Sequence, residues 1–303
     1  MKLGTLGVAL AVGFLVLGMG CSRAKIDAVN LAIEGDALKK QGAYDAAIDR
    51  YEQATQLDPT NHRIMYKLAT TYRKKEEWEK VASTLARATQ VAPSFATYWY
   101  ERGYALVQVA DKSKAQSAWE EAKEPLQKCI ESDPNFSDCY FELAMVNLQL
   151  DNEQDALESY TKAVQHEPSK GQYYAPLADL YIRLGYADQA EAVLKQGVSF
   201  DSDTSKAKFN MYVLLAQVRQ TKGDLSGMVE ALETANKLGP AEEHPEILFN
   251  LGSTYAVMIP PKKAQAIQML KQFQARGCKG GKSDKYKEQC EQSMALIAKL
   301  GGA

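Results

Sequence analysis

The feature that most constrains this chain is a period of 34 residues marked by proline, for Pro59 and Pro93 are 34 apart and so are Pro134 and Pro168. Self-similarity at such a period marks a stacked array, in which no unit can bury its apolar face alone and each leans on its neighbours. Five residues before each of these prolines, and before Pro240, stands a small side chain: Ala54, Ala88, Cys129, Ala163 and Ala235. Seven residues further back come Ala47, Ala122 and Ala156, with the larger Val81 and Met228 in two units. Twelve before that lies a third small site at Gly35, Ala69, Ala144, Ala178 and Ala216, which Gly103 and Gly252 join after short insertions.

Counted from Ala28, these sites fall at positions 8, 20 and 27 of a unit, with Tyr51, Leu85, Leu126, Tyr160, Leu194, Leu232 and Leu270 at position 24 and proline at 32. As a set they resemble the tetratricopeptide repeat. That resemblance implies two antiparallel helices per unit, with small residues where the helix axes cross closely. Gly42, Gly185 and Gly223 then fall at the turn between the two helices, where a left-handed residue ends the first. The fold expected is all-α: a right-handed superhelix over 21–275 of about seven helix-turn-helix repeats near 28–61, 62–95, 96–136, 137–170, 171–208, 209–244 and 245–278. A capping helix within 279–303, from about Ser283 to Lys299, closes the stack.

Three units depart from the pattern. The third carries seven extra residues around Asp111 to Ala118, and Pro125 in its second helix is expected to kink or restart that helix. The fifth ends in Ser202 instead of proline, and its polar run Asp201 to Lys208 reads as a hinge. The seventh turns through Ile259-Pro260-Pro261 and places Phe273 at a site that is usually small.

The N-terminus reads as an export signal over residues 1–20, with Lys2 as the only charge before Arg23 and an almost wholly apolar stretch from Leu3 to Leu17. At about 1.5 Å per residue that stretch is short for a hydrocarbon core of about 30 Å. Leu17-Gly18-Met19-Gly20-Cys21 resembles the lipobox of bacterial lipoproteins, with Gly18 where Leu is usual. The resemblance implies acylation of Cys21 and a membrane anchor, and Ser22 after it implies sorting to the outer membrane, facing the periplasm.

Four further cysteines come as two close pairs, Cys129 with Cys139 and Cys278 with Cys290. In an oxidising compartment they read as two local disulfides between neighbouring elements of a solenoid, the alternative being buried free thiols. No Cys-x-x-Cys occurs and there are only 3 His, so no metal site is expected.

In tetratricopeptide repeats the first helix of each unit lines a concave groove through positions 2, 5, 9 and 12. Carried onto this sequence, those positions give Arg63, Tyr66, Thr70, Arg73, Tyr100, Tyr104, Asp138, Phe141 and Met145 as the surface for a protein partner. The alternative is that some of these rings merely fill a tight superhelix. The clamp of Lys, Asn and Arg by which some members of the family grip a terminal carboxylate is missing, since Ala32 with Asp36, Tyr66 with Thr70 and Tyr100 with Tyr104 stand at its positions. Lys39, Lys40, Arg63, Lys67, Arg73, Lys74 and Lys75 form a basic group for anionic head groups or an acidic partner, or a solvated face balanced by Glu76, Glu77 and Glu79.

A net charge of -2 disfavours nucleic acid as a partner. No nucleophile, base and acid recur at a catalytic spacing, His62, His166 and His244 read as exposed turn residues, and no phosphate loop or cofactor motif appears. The reading that results is a lipid-anchored scaffold of unknown oligomeric state, similar to pilotin-type lipoproteins. It would assemble or stabilise an envelope machine for pili, secretion or surface motility. Two other readings are an adaptor for cell-wall hydrolases or proteases, and a groove that carries a polysaccharide or lipid.

Overall fold

The computed structural model describes residues 6–200, 205–239 and 243–302, without the side chains of residues 6–22, Ser205 and Gly280. Among the described residues there are helices and turns and no strand. The chain divides into two compact units, Met1–Ser159 and Tyr160–Ala303.

In the first unit α1 (Leu6–Lys40) packs on α2 (Tyr44–Leu57), α3 (His62–Lys74) on α4 (Trp78–Val91) and α5 (Ala96–Ser113) on α6 (Gln116–Ser132). Next come α7 (Ser137–Gln149) and α8 (Glu153–His166), within which the boundary of the unit falls. The small-residue grid explains the pairing. A Cβ on Gly35 would come within 2.8 Å of the Tyr51 ring, and one on Gly103 within 2.6 Å of Leu126 Cδ2. Positions 8 and 24 therefore meet in the α1–α2 and α5–α6 pairs, and Tyr51 and Leu126 are fully buried there. Both contribute to one apolar core that runs from Ala28 to Leu150.

The seven extra residues of the third repeat do not make a loop. They lengthen both helices, α5 to 18 residues and α6 to 17, against 13 and 14 for α3 and α4. Pro125 does not restart α6, which runs unbroken from Gln116 to Ser132 with the proline ring buried. The inter-helix turns use a left-handed residue throughout this unit, Gly42 at φ 79° and, without glycine, Glu76 at 58°, Lys114 at 56° and Asp151 at 59°.

α1 continues without a break from the apolar N-terminal segment into the first repeat, and the first buried side chain along it among those described is Ala28. The side chain of Cys21 lies outside the described residues. Among the described residues no helix is long and apolar enough to cross a membrane.

The second unit begins, after the end of α8, with a 3-10 turn at Gly171–Tyr173. It continues through α9 (Tyr174–Arg183), α10 (Ala187–Val198), α11 (Ser205–Thr221), α12 (Leu225–Leu238), α13 (Glu246–Val257), α14 (Lys263–Gly277) and α15 (Lys287–Lys299). The grid recurs here, a Cβ on Gly252 falling 2.6 Å from Leu270 Cγ. Of the expected hinge, 201–204 lie outside the described residues and Ser205 to Lys208 already belong to α11. The closing helix starts at Lys287, four residues later than the sequence suggests. Tyr286 accounts for the delay, for it is buried against Phe273 and its hydroxyl donates to Glu246 Oε2 at 2.6 Å, which fixes the chain in a turn just ahead of the helix. Phe273 itself is fully buried in this cluster.

The sulfur atoms of Cys129 and Cys139 are bonded, with Cα atoms 6.2 Å apart, and join α6 to α7. Those of Cys278 and Cys290 are bonded as well, at 5.8 Å, and join the end of α14 to α15.

Candidate functional site

The residues expected to line a groove all lie in the first unit, on α3, α5 and α7. Helical spacing puts Arg63, Tyr66, Thr70 and Arg73 on one face of α3, and Asp138, Phe141 and Met145 on one face of α7. Tyr66, Thr70, Tyr100, Tyr104, Asp138, Phe141 and Met145 are half-buried, whereas Arg63 and Arg73 are exposed.

The rings divide into two groups. Tyr66 leans on Tyr98 at 5.1 Å between centroids, and Tyr98 stacks on Phe95 and accepts or donates a bond with His62 Nδ1 at 2.8 Å. Tyr100 stands between Phe136 at 5.1 Å and Tyr104 at 6.1 Å. Such offset contacts hold the rings in place while leaving part of each face open. His62 is thus packed among rings, not an exposed turn residue, and His244 likewise lies 4.4 Å from the Phe209 ring.

Charged side chains bridge the first helices beneath these rings. Asp36 of α1 takes Lys67 Nζ at 2.5 Å and the Tyr51 hydroxyl at 2.6 Å. Burial pushes the Asp36 carboxyl upward, but these two bonds and the Lys67 and Lys39 charges hold it below the usual carboxylate range. Lys39 Nζ donates to Thr70 Oγ1 at 2.8 Å, and burial, helped by the Lys74 and Lys67 charges, lowers its ammonium. Arg73 Nη1 meets Glu101 Oε1 at 2.6 Å, and its guanidinium lies 5.3 Å over the Tyr104 ring. Burial nonetheless leaves Glu101 above its ordinary range despite Arg73. Glu142 is 7% exposed, and burial with the nearby Asp138 charge lifts it to about 7. Burial together with Asp138, Glu142 and Glu101 raises the Tyr100 phenol, and burial with Glu142 raises that of Tyr104.

Of the basic group of the sequence, Lys67, Arg73 and Lys75 are paired within the chain, by Asp36, by Glu101, and by Asp45 with Glu77. Of the three glutamates named beside it, Glu77 is the one in an ion pair with this group among the described residues. Lys39, Arg73 and Lys74 line an open pocket of about 620 Å³ together with Glu76, Thr70, Trp78, Tyr104 and Gln108.

The structure brings Arg73, Tyr100, Tyr104 and Asp138 into one cluster and adds Glu101 and Glu142, which the groove positions omit. Arg63 stands apart from it, at the start of α3, where its charge acts on Tyr98. A signal for the added pair exists in the sequence, since Lys67, Glu101 and Glu142 share position 6 in three consecutive repeats. Charge at a position that packs between neighbouring helices is unusual unless the charges answer one another.

Known proteins share this repeat. The heat shock protein sti1 homolog of Schizosaccharomyces pombe is 30% identical over 91 residues, which cover 30% of this chain and 15% of its own length. The tetratricopeptide repeat and J domain-containing co-chaperone DNJ1 of Cryptococcus neoformans is 29% identical over 89 residues, 29% of this chain and 17% of its own length. The chain thus matches less than a fifth of the length of these curated relatives. Among solved structures, the C-terminal part of a TPR repeat-containing protein from Cytophaga hutchinsonii is similar with a TM-score of 0.64 at 13% identity, over 83% of this chain and 97% of that one. Pseudomonas aeruginosa pilF follows the fold with a TM-score of 0.55 at 16% identity, over 73% of this chain and 94% of that one. A crystal structure of the MamA protein does so with a TM-score of 0.52 at 22% identity, over 59% and 94%. At these identities the likeness is one of fold. The family model described as the Cilia and flagella-associated protein 70 C-terminal domain matches residues 7–248, and the chain belongs to this tetratricopeptide-repeat family.

Proposed function

We propose that this chain is a lipid-anchored scaffold of the outer membrane, facing the periplasm, that helps assemble or hold together an envelope machine such as a pilus, secretion or motility apparatus. The observation that carries the reading is the groove of the first unit, where partly open rings of Tyr66, Tyr100 and Tyr104 stand among fixed charges on successive first helices. Large, stiff aromatic anchors between oriented charges are what a protein interface uses, since they bury much area at small entropic cost. Asp36 and Lys39 of this groove stand on the same helix as Cys21, 15 and 18 residues along, so an anchor there would hold the groove within about 30 Å of the lipid surface. The lipobox-like segment and Ser22 support the anchor and its sorting, and the protein would sit with pilotin-type repeat lipoproteins.

Two experiments test this. Labelled palmitate should enter the protein and be lost in Cys21→Ala, and label that persists would sink the anchor. Crosslinking pull-down from membranes should recover a defined envelope protein with the wild type and much less of it with Tyr100→Ala or Phe141→Ala. Recovery that neither change reduces would count against the groove.

A further inference from the structure

Along the groove of the first unit, carboxylates and cations of adjacent first helices meet. Asp36 of α1 meets Lys67 of α3 at 2.5 Å, and Glu101 of α5 meets Arg73 of α3 at 2.6 Å. Glu142 of α7 breaks the series. It holds the same repeat position as Lys67 and Glu101, is 7% exposed, and among the described residues has no hydrogen-bond or ion-pair partner. Among the described residues, the charge that adds to burial in raising its carboxyl is that of Asp138, one turn earlier on the same face of α7, and that charge is negative. Where the series would call for a cation, the facing helix α5 supplies Tyr100 and Tyr104, and the Glu142 charge reaches both phenols.

A carboxylate left with so little water and with nothing to pair with is costly, so its retention on a groove face points to a partner from outside. The chemistry of that partner is indicated next door. Arg73 bonds Glu101 while its guanidinium lies over the Tyr104 ring, so the same chain already joins one cation to one carboxylate and one tyrosine face. Rings add attraction for a cation through their negative faces, and a charge-assisted bond to the carboxylate fixes its direction.

We propose that the stretch of groove between α5 and α7 receives a Lys or Arg side chain from an extended segment of the protein partner. Its cation pairs with Glu142 and rests against Tyr100 and Tyr104, repeating the arrangement of Arg73 with Glu101 and Tyr104. The proposal rests on the reading of this groove as a partner surface and adds the charge that the partner must bring.

The test uses a random library of twelve-residue peptides displayed on phage, selected against the full chain in detergent. The account expects enriched peptides to share a Lys or Arg at one fixed place and to lose binding to Tyr100→Ala. Replacing that residue in the peptide by citrulline for Arg, or norleucine for Lys, should weaken binding by roughly 10-fold or more, as losing one well-placed charged contact does. Glu142→Gln, which keeps the shape of the side chain, should weaken the basic peptide by a similar factor and leave the neutral peptide unchanged. If that variant fails to fold, the replacement in the peptide decides alone. Peptides that depend on Tyr100 yet carry no fixed basic residue, or that bind equally well when neutralised, would overturn the proposal while leaving the groove reading intact. A selection that yields no peptide dependent on Tyr100 would overturn the groove reading itself.

Discussion

Arg73 on α3 and Glu101 on α5 form a 2.6 Å ion pair in which the carboxylate is 7% exposed and the guanidinium is also stacked over Tyr104. The two partners differ in what they lose on folding, because the Arg73 side chain keeps 44% of its exposure. Removing the arginine strands a buried charge, whereas neutralising the glutamate strands nothing. Arg73→Ala should therefore cost about 2 kcal/mol, below the full penalty for breaking a buried pair because Arg73 is partly solvated. Glu101→Gln should cost about 1 kcal/mol or less. Urea unfolding of both variants at pH 7.5 checks the inequality.

Glu142 makes stability depend on pH with a definite sign. Its carboxyl titrates near 4.5 in the unfolded chain and is lifted to about 7 in the fold by burial, with Asp138 adding. Between those values the folded chain holds a proton that the unfolded chain has released, so stability falls as pH rises through that window and levels off above it. The loss is on the order of 3 kcal/mol when complete. Glu142→Gln cannot lose it, and should be more stable than the wild type at pH 8 but not at pH 4.5. Denaturation midpoints of the two proteins at these two pH values give the answer.

The close approach of α5 and α6 at Gly103 leaves no room for a methyl group. A Cβ there would lie 2.6 Å from Leu126 Cδ2 and 3.4 Å from the Leu126 backbone N, and Leu126 is fully buried. Gly103→Ala should cost about 1–3 kcal/mol through overpacking. At the turn after α3 the opposite holds, because Glu76 adopts φ 58° with a Cβ that disfavours it. Glu76→Gly should be neutral or stabilise by up to about 1 kcal/mol. In thermal melts the midpoint of Gly103→Ala should fall, and that of Glu76→Gly should stay or rise.

Each disulfide closes a short loop, with sequence separations of 10 and 12 residues. In the chain-entropy account each contributes about 2–3 kcal/mol. Cys129→Ala with Cys139→Ala should lower the denaturation midpoint in non-reducing buffer, and reductant should then affect this variant less than the wild type. Mass mapping without reduction shows whether the thiols are joined in protein from cells.

The helical pairs could be read from the sequence because their cause is local. Gly35 faces Tyr51 and Gly103 faces Leu126 within a single repeat, so a fixed spacing records the contact. The lengthened helices of the third repeat were hidden because Asp111-Lys112-Ser113-Lys114 has the composition of a loop, yet the first three residues extend α5. Pro125 misleads in the same way, since its missing N–H argues for a break that α6 does not show. The groove rings follow from the repeat positions that line a groove, whereas Glu101 and Glu142 stand at position 6, outside that set. On one helix a glutamate reads as a solvated face, and only the neighbouring helices bury it. Burial of that kind depends on how repeats stack, and no single repeat's pattern contains it.

The central claim, that a protein partner occupies the groove of the first unit, is tested most directly by placing a photo-crosslinking amino acid at single positions in living cells. Groove positions Thr70 and Tyr104 are compared with Ser83 on α4 and Gln127 on α6, both exposed on second helices. The account predicts one discrete protein adduct from Thr70 and Tyr104 and none of that mass from Ser83 or Gln127. The same adduct from all four positions, or from Ser83 and Gln127 alone, would contradict it.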